Sequence, residues 1–280
     1  MNALSPSLPA AAPTASAPPR RRTSALAAAV TAWFAVAATG QLIFAAYVLA
    51  LYGGGLAGGA LTAWNKVTPR GYVPGETLGN LVFGSHLLFT VVIVFGGLVQ
   101  LLPPLRRRAP ALHRWNGRLY LLAAGVLATG GVAMLLTRGT VGGVWQQLGT
   151  ALNGAVIGAL ALLAWRAARR HDTAAHRRWA LRLFLAVSGV WFFRIGLMAW
   201  LMIWRAPVGF DPDSFSGPFL TVLAFAQFGL PLLVLQGVFH AQDSGHAGWQ
   251  RAMAAVVAVL TLLTAVGVAG ATMLMWWPRF

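Results

Sequence analysis

Apolar runs separated by short arginine-bearing connections set the rhythm of this chain. Runs of about twenty residues or more recur near 23–51, 78–102, 117–137, 144–166, 179–204, 217–240 and 251–275. At about 1.5 Å of rise per residue, each is long enough as a helix to cross a hydrocarbon layer about 30 Å thick. Helices are required because lipid offers the backbone no partner, and a helix satisfies its amides within itself. A transmembrane barrel would show segments of about ten residues with alternating polarity, a pattern absent here. The pattern predicts an all-α, polytopic bundle of about seven spans.

Gly, Pro and Arg clusters punctuate the runs at Pro103-Pro104, Arg138-Gly139, Pro207 to Pro218 and Asp243 to Gly248. Residues 1–22 are rich in Ala, Pro and Ser, close on Arg20, Arg21 and Arg22, and read as a disordered basic tail. Residues 23–280 read as one bundle. The first apolar run is far longer than the 7–15 residues of a signal peptide's core, so it is read as a span that stays. Trp64, Tyr72, Trp145, Trp204 and Trp276-Trp277 fall at run edges and read as headgroup-level anchors.

Composition supports the class: 58% of residues are hydrophobic and 9% charged, against about 25% charged in soluble domains. The net charge of +16 lies in the connections between spans, which fits topology and lipid headgroups and argues against nucleic acid. Arg106, Arg107, Arg108 and Arg114, then Arg166, Arg169, Arg170, Arg177 and Arg178, load alternate loops. The other side carries Lys66, Arg70, Arg138, Arg205 and Arg279. Positive-inside reasoning then predicts a multi-pass protein of a bacterial inner membrane, N-terminus cytoplasmic and C-terminus outside.

Several chemistries drop out. The absence of cysteine excludes disulfides, thiolate metal sites and iron–sulfur clusters. The single lysine, Lys66, sits in a loop, so no Schiff base forms in the last span. No span carries the buried carboxylates usual in proton-coupled transport, and no His-Glu-x-x-His or paired Asp suggests hydrolysis or a metal site. Whether the chain is an enzyme stays open.

Intramembrane polar residues cost free energy and are functional candidates by default. Counted from the outer ends, His86 and Asn153 lie roughly 12–14 Å deep, and Gln41, Arg194 and Gln227 at about 15 Å. Five spans thus place a polar side chain at nearly one level, a ligand-binding layer in the outer half. Arg194 has no Asp or Glu in any span to neutralise it. It is either a structural clamp on carbonyls, Asn153 and Gln227, or the counter-ion of a ligand: a carboxylate, a phosphate, a quinone carbonyl or a haem propionate. His86 is either a neutral cross-helix bond or a haem or quinone contact.

His113, His176 and His240 fall near the cytoplasmic ends of their spans, where any two on facing helices can form a bis-histidine haem b site; the alternative is an interfacial histidine among arginines. His171 and His246 read as solvated loop residues, and Asp211 and Asp213 as turn and cap residues. The segment from His113 to Tyr120 is echoed by His176 to Phe184, each opening a span after an arginine-rich loop.

His86, Gly97, Gln100, Leu105-Arg106, His113-Arg114, Gly117-Arg118 and Tyr120, followed by His176, Trp179, Arg182 and Arg194, resemble an uncharacterised family of bacterial membrane proteins, domain of unknown function number 2306. The resemblance covers about residues 80–200 and implies a membrane location and a helical core of spans two to five. That core is similar at fold level to membrane b-type cytochromes. The functional expectation is a haem- or quinone-linked electron-transfer component; the alternatives are a transporter or sensor for a small anion, or a structural membrane partner.

Overall fold

Ser24 opens the first helix by accepting the Ala27 N–H on its side chain at 3.2 Å, which satisfies one amide that a helix start leaves free. From there the computed structural model describes residues 24–68, 70–139 and 142–279. The tail at 1–22 lies outside the described residues.

Six helices are long and apolar enough to span: Ala25–Ala57, Thr77–Leu101, Pro110–Arg138, Val144–Arg169, Pro218–Ser244 and Ala247–Arg279. A further pair, Thr173–Val187 and Gly189–Trp204, fifth in order and bent by 53° at Ser188, brings the number to seven when it is counted as one broken span. No strand occurs among the described residues; one isolated bridge joins Asp211 and Ser216. The helices are termed the first to seventh spans below. The sequence places the spans correctly but not the break, and it starts the third too late, because Pro110 sits in the first turn, where its missing N–H costs nothing.

The first, second, third, fourth, fifth and seventh spans pack in that order as a ring that closes on the first. The sixth lies outside it, against the fourth, fifth and seventh. Lipid-facing stripes are explicit: Leu81, Leu88 and Phe95, seven residues apart on the second span, are 67, 60 and 45% exposed. Apolar side chains exposed in this register need hydrocarbon as their solvent. The fifth and seventh spans meet most closely at Gly267, where a Cβ would stand 2.3 Å from the Ile195 carbonyl oxygen.

One face carries a built cap. Arg138, with its side chain 6% exposed, donates to the carbonyls of Arg70 and Gly71 at 2.9 and 2.8 Å, to Asn80 Oδ1 at 2.8 Å and to Glu76 at 3.3 Å. Asn65 brackets Tyr72 through both its amide atoms, and Asn80 brackets Val73 in the same way. Trp64 is 5% exposed, packs on Tyr52 and Phe83, and donates Nε1–H to the Tyr52 carbonyl. Trp276 is wholly buried against Phe44 and Tyr47. These two tryptophans are therefore interior groups and not headgroup anchors. Wide π turns at Leu49–Gly53 and Ala271–Trp276 end the first and seventh spans beneath this cap, so the neighbouring side chains leave the regular helical register there. Trp145, Trp204 and Trp277 stay exposed at span edges. Asp211 forms the expected turn: the Ser214 hydroxyl and the Asp213 N–H bond its carboxylate and hold it below the ordinary carboxylate range.

Candidate functional site

The second span faces the third through His86, whose imidazole lies over Gly130-Gly131: Cβ atoms there would stand 3.7 Å from Nδ1 and 3.6 Å from Cε1. Nδ1 is buried with no hydrogen-bond partner among the described residues. Across the ring, on the second half of the fifth span, Arg194 reaches back along its helix and donates to the Val190 carbonyl at 3.2 Å. Its guanidinium lies 5.5 Å from the centre of the Phe44 ring. Tyr47, Tyr52 and His86 are within electrostatic range of it. No carboxylate pairs with Arg194 among the described residues, where the ion pairs are Arg70 and Arg138 with Glu76, and Arg178 with Asp243.

A guanidinium carries five N–H donors, and one of them is used here. Arg194 is half-buried. Phe44 contributes attraction through its ring face, a weaker compensation than an anion in a low-dielectric setting.

The break in the fifth span gathers a second polar group. Gln41 Nε2 donates to Ser188 Oγ at 3.0 Å, and Ser188 Oγ donates to the Phe184 carbonyl at 2.8 Å. Asn153, 5% exposed, presses against the break: a Cβ on Gly189 would meet its Nδ2 at 2.5 Å. Its Oδ1 has no partner among the described residues. Interrupting a membrane helix frees carbonyls on one side and N–H groups on the other, and polar side chains are the usual company of such a break. Gln227 stands apart. It donates to Ala224 O on its own helix and lies in the wall of a cavity beside the sixth span. The five residues expected to form one polar layer thus divide: Arg194 and His86 lie within electrostatic range of each other, Gln41 and Asn153 gather at the break around Ser188, and Gln227 stands alone.

On the arginine-rich face, His113 and His176 come within electrostatic range of each other from the third and fifth spans. The His176 Nδ1 lies 3.0 Å from the Ala164 carbonyl, which leaves its Nε2 as the available ring nitrogen. His113 Nδ1 is buried without a partner among the described residues. His240 goes elsewhere, edge-on to Trp249. The residues around His113 form a helix–helix joint: Gln100 donates to the His113 carbonyl, Asn116 donates to Gly96 O, and Tyr120 lies against Gly97. No group of three or more His, Cys, Asp or Glu able to hold a metal occurs among the described residues.

Sequence reasoning counted Arg138 merely as loop punctuation and a topogenic charge. Its role in the cap had one signal, Asn65, Glu76 and Asn80 around the start of the second span, but spacing alone does not show that the third span returns to them.

A family model described as "Predicted membrane protein (DUF2306)" matches residues 83–228. No curated protein and no solved structure matches the chain.

Proposed function

We propose that this chain, which belongs to the DUF2306 family of predicted membrane proteins, is a membrane-embedded binding protein for a small ligand that presents an anionic oxygen, carboxylate or phosphate, to Arg194. The observation that carries the reading is the Arg194 guanidinium itself. It lies in the membrane-spanning part, has no carboxylate among the described residues, and makes a single hydrogen bond to its own helix. Holding a charge there is costly, about 2.5–3.5 kcal/mol on insertion scales, and a ligand's counter-charge is what offsets it. His86, within electrostatic range of it and with an unpartnered Nδ1 among the described residues, supplies a second contact that is donor or acceptor according to its tautomer. Asn153 and Gln41 pack at the break, about one and a half turns before Arg194 on the same span. A quinone carbonyl can accept the same bonds but leaves the guanidinium charge uncompensated, so an anion is the better fit. The charge pattern supports a bacterial inner membrane with the arginine-rich face inward.

Thermal unfolding of the purified protein tests this with oleate and inorganic phosphate as probes. One of them should stabilise the wild type, by about 2.7 kcal/mol at a hundredfold excess over its dissociation constant. Arg194→Gln should abolish the response. An unchanged response in Arg194→Gln, or none from either probe in the wild type, rejects the reading. A response to phosphate marks a water-borne ligand, and one to oleate alone a lipid-borne one.

A second reading, a b-type haem in an electron-transfer component, is favoured by the convergence of His113 and His176 and by the free Nε2 of His176. An absorption spectrum with and without dithionite decides it: absence of a Soret band removes this version.

A further inference from the structure

Beside the sixth span a slot of about 780 Å³ opens between it and the first, fifth and seventh spans. Its walls include residues otherwise buried, among them Phe184, Ile195 and Val257. Along the sixth span it runs from Leu223 to Gln242, nineteen steps of about 1.5 Å or about 28 Å, close to the full hydrocarbon thickness of about 30 Å. Three of the polar side chains within it are already engaged. Thr31 donates to Ala27 O, Thr264 to Leu260 O and Gln227 to Ala224 O, each on its own helix. The slot therefore offers its occupant hydrocarbon contact along its length.

Its mouth on the arginine-rich face has the opposite character. Arg177 lines it, is exposed, and has no acceptor among the described residues. The neighbouring Arg178 is already held by Asp243 at 2.5 Å. Pro103, also in the lining, begins the short helix Pro103–Arg108 that carries Arg106, Arg107 and Arg108. An apolar bore ending in unspent positive charge is complementary to a molecule with a long hydrocarbon chain and an anionic phosphate.

We infer that this slot is a binding site for one anionic phospholipid, its phosphate at Arg177 and its hydrocarbon along the sixth span. The site is separate from the Arg194 guanidinium and stands or falls independently of the reading built on it. Arg194 does not line the slot, and Phe192 and Ile195 of the same helix do.

The test uses the full chain in nanodiscs of mixed phosphatidylglycerol and phosphatidylcholine, re-extracted in mild detergent, with retained lipid read by native mass spectrometry. The wild type should keep one phosphatidylglycerol, enriched about threefold or more over its share of the disc, as an exposed charge pair can supply. Arg177→Gln should retain lipid but lose the enrichment. Ala226→Phe places a ring inside the slot and should lose the retained lipid altogether. Equal retention of both lipids by the wild type overturns the proposal, as does full retention in Ala226→Phe. If Ala226→Phe does not fold, Arg177→Gln, a change at an exposed position, decides alone: undiminished enrichment overturns the proposal, and lost enrichment upholds it.

Discussion

Asn153 lies so close to Gly189 that a Cβ at that glycine would stand 2.5 Å from its Nδ2. The contact joins the fourth span to the point where the fifth bends by 53°. Gly189→Ala should therefore destabilise the protein by about 1–3 kcal/mol, the usual cost of overpacking a close contact. The double variant Gly189→Ala/Asn153→Ala should recover most of that loss in thermal unfolding. A double variant as unstable as the single one would place the cost of the added methyl elsewhere.

Gly267 makes the corresponding approach between the seventh and fifth spans, against the Ile195 carbonyl oxygen. Small residues at such crossings let helices in lipid pack at short range, where dispersion and not the hydrophobic effect holds them. Gly267→Ala has to push a backbone aside, because no flexible side chain is there to yield. The expected result is a loss of folded protein on size-exclusion chromatography larger than that of Gly125→Ala, where open space surrounds the position.

Arg138 closes the cap through four acceptors on the segment from Arg70 to Asn80. Arg138→Ala should cost about 3 kcal/mol, since hydrogen bonds to a buried charged group are worth about 1.5–3 kcal/mol and their loss strands the acceptors. Arg138→Lys should recover only part, because one ammonium cannot match the spread of a planar fork. Limited trypsin digestion reads the effect: cleavage after Lys66 and Arg70 should quicken in Arg138→Ala, in folded protein.

Arg194 separates a structural clamp from a ligand contact by the sign of its effect. If the guanidinium waits for an external anion, Arg194→Leu in ligand-free protein removes an uncompensated charge and should leave the melting temperature unchanged or raise it. A clamp predicts a loss of about 3–5 kcal/mol, as when one partner of a buried pair is removed. The melting temperature in detergent without added ligand distinguishes the two.

The membrane class and the positions of the six or seven candidate spans were legible in the chain, because hydrophobicity and helical rise act locally. The arginine-loaded loops and the Asp211 turn were legible for the same reason. What the chain could not reveal is which side chains at one depth meet. His86 and Arg194 come within electrostatic range of each other, Gln41 and Asn153 gather at a helix break, and Gln227 lies in the wall of the slot beside the sixth span. Those outcomes depend on the rotation of each helix about its axis and on the order of the ring, which are settled by close approaches such as Gly267 to Ile195 and Gly189 to Asn153. Trp64 and Trp276 look like interfacial anchors in a linear reading and prove interior, because Trp64 packs on Tyr52 and Phe83 and Trp276 on Phe44 and Tyr47, rings contributed by other segments of the chain. Local hydrophobicity thus determined which segments form spans, and only tertiary packing decided their neighbours, since a span follows from a single helix and adjacency requires at least two.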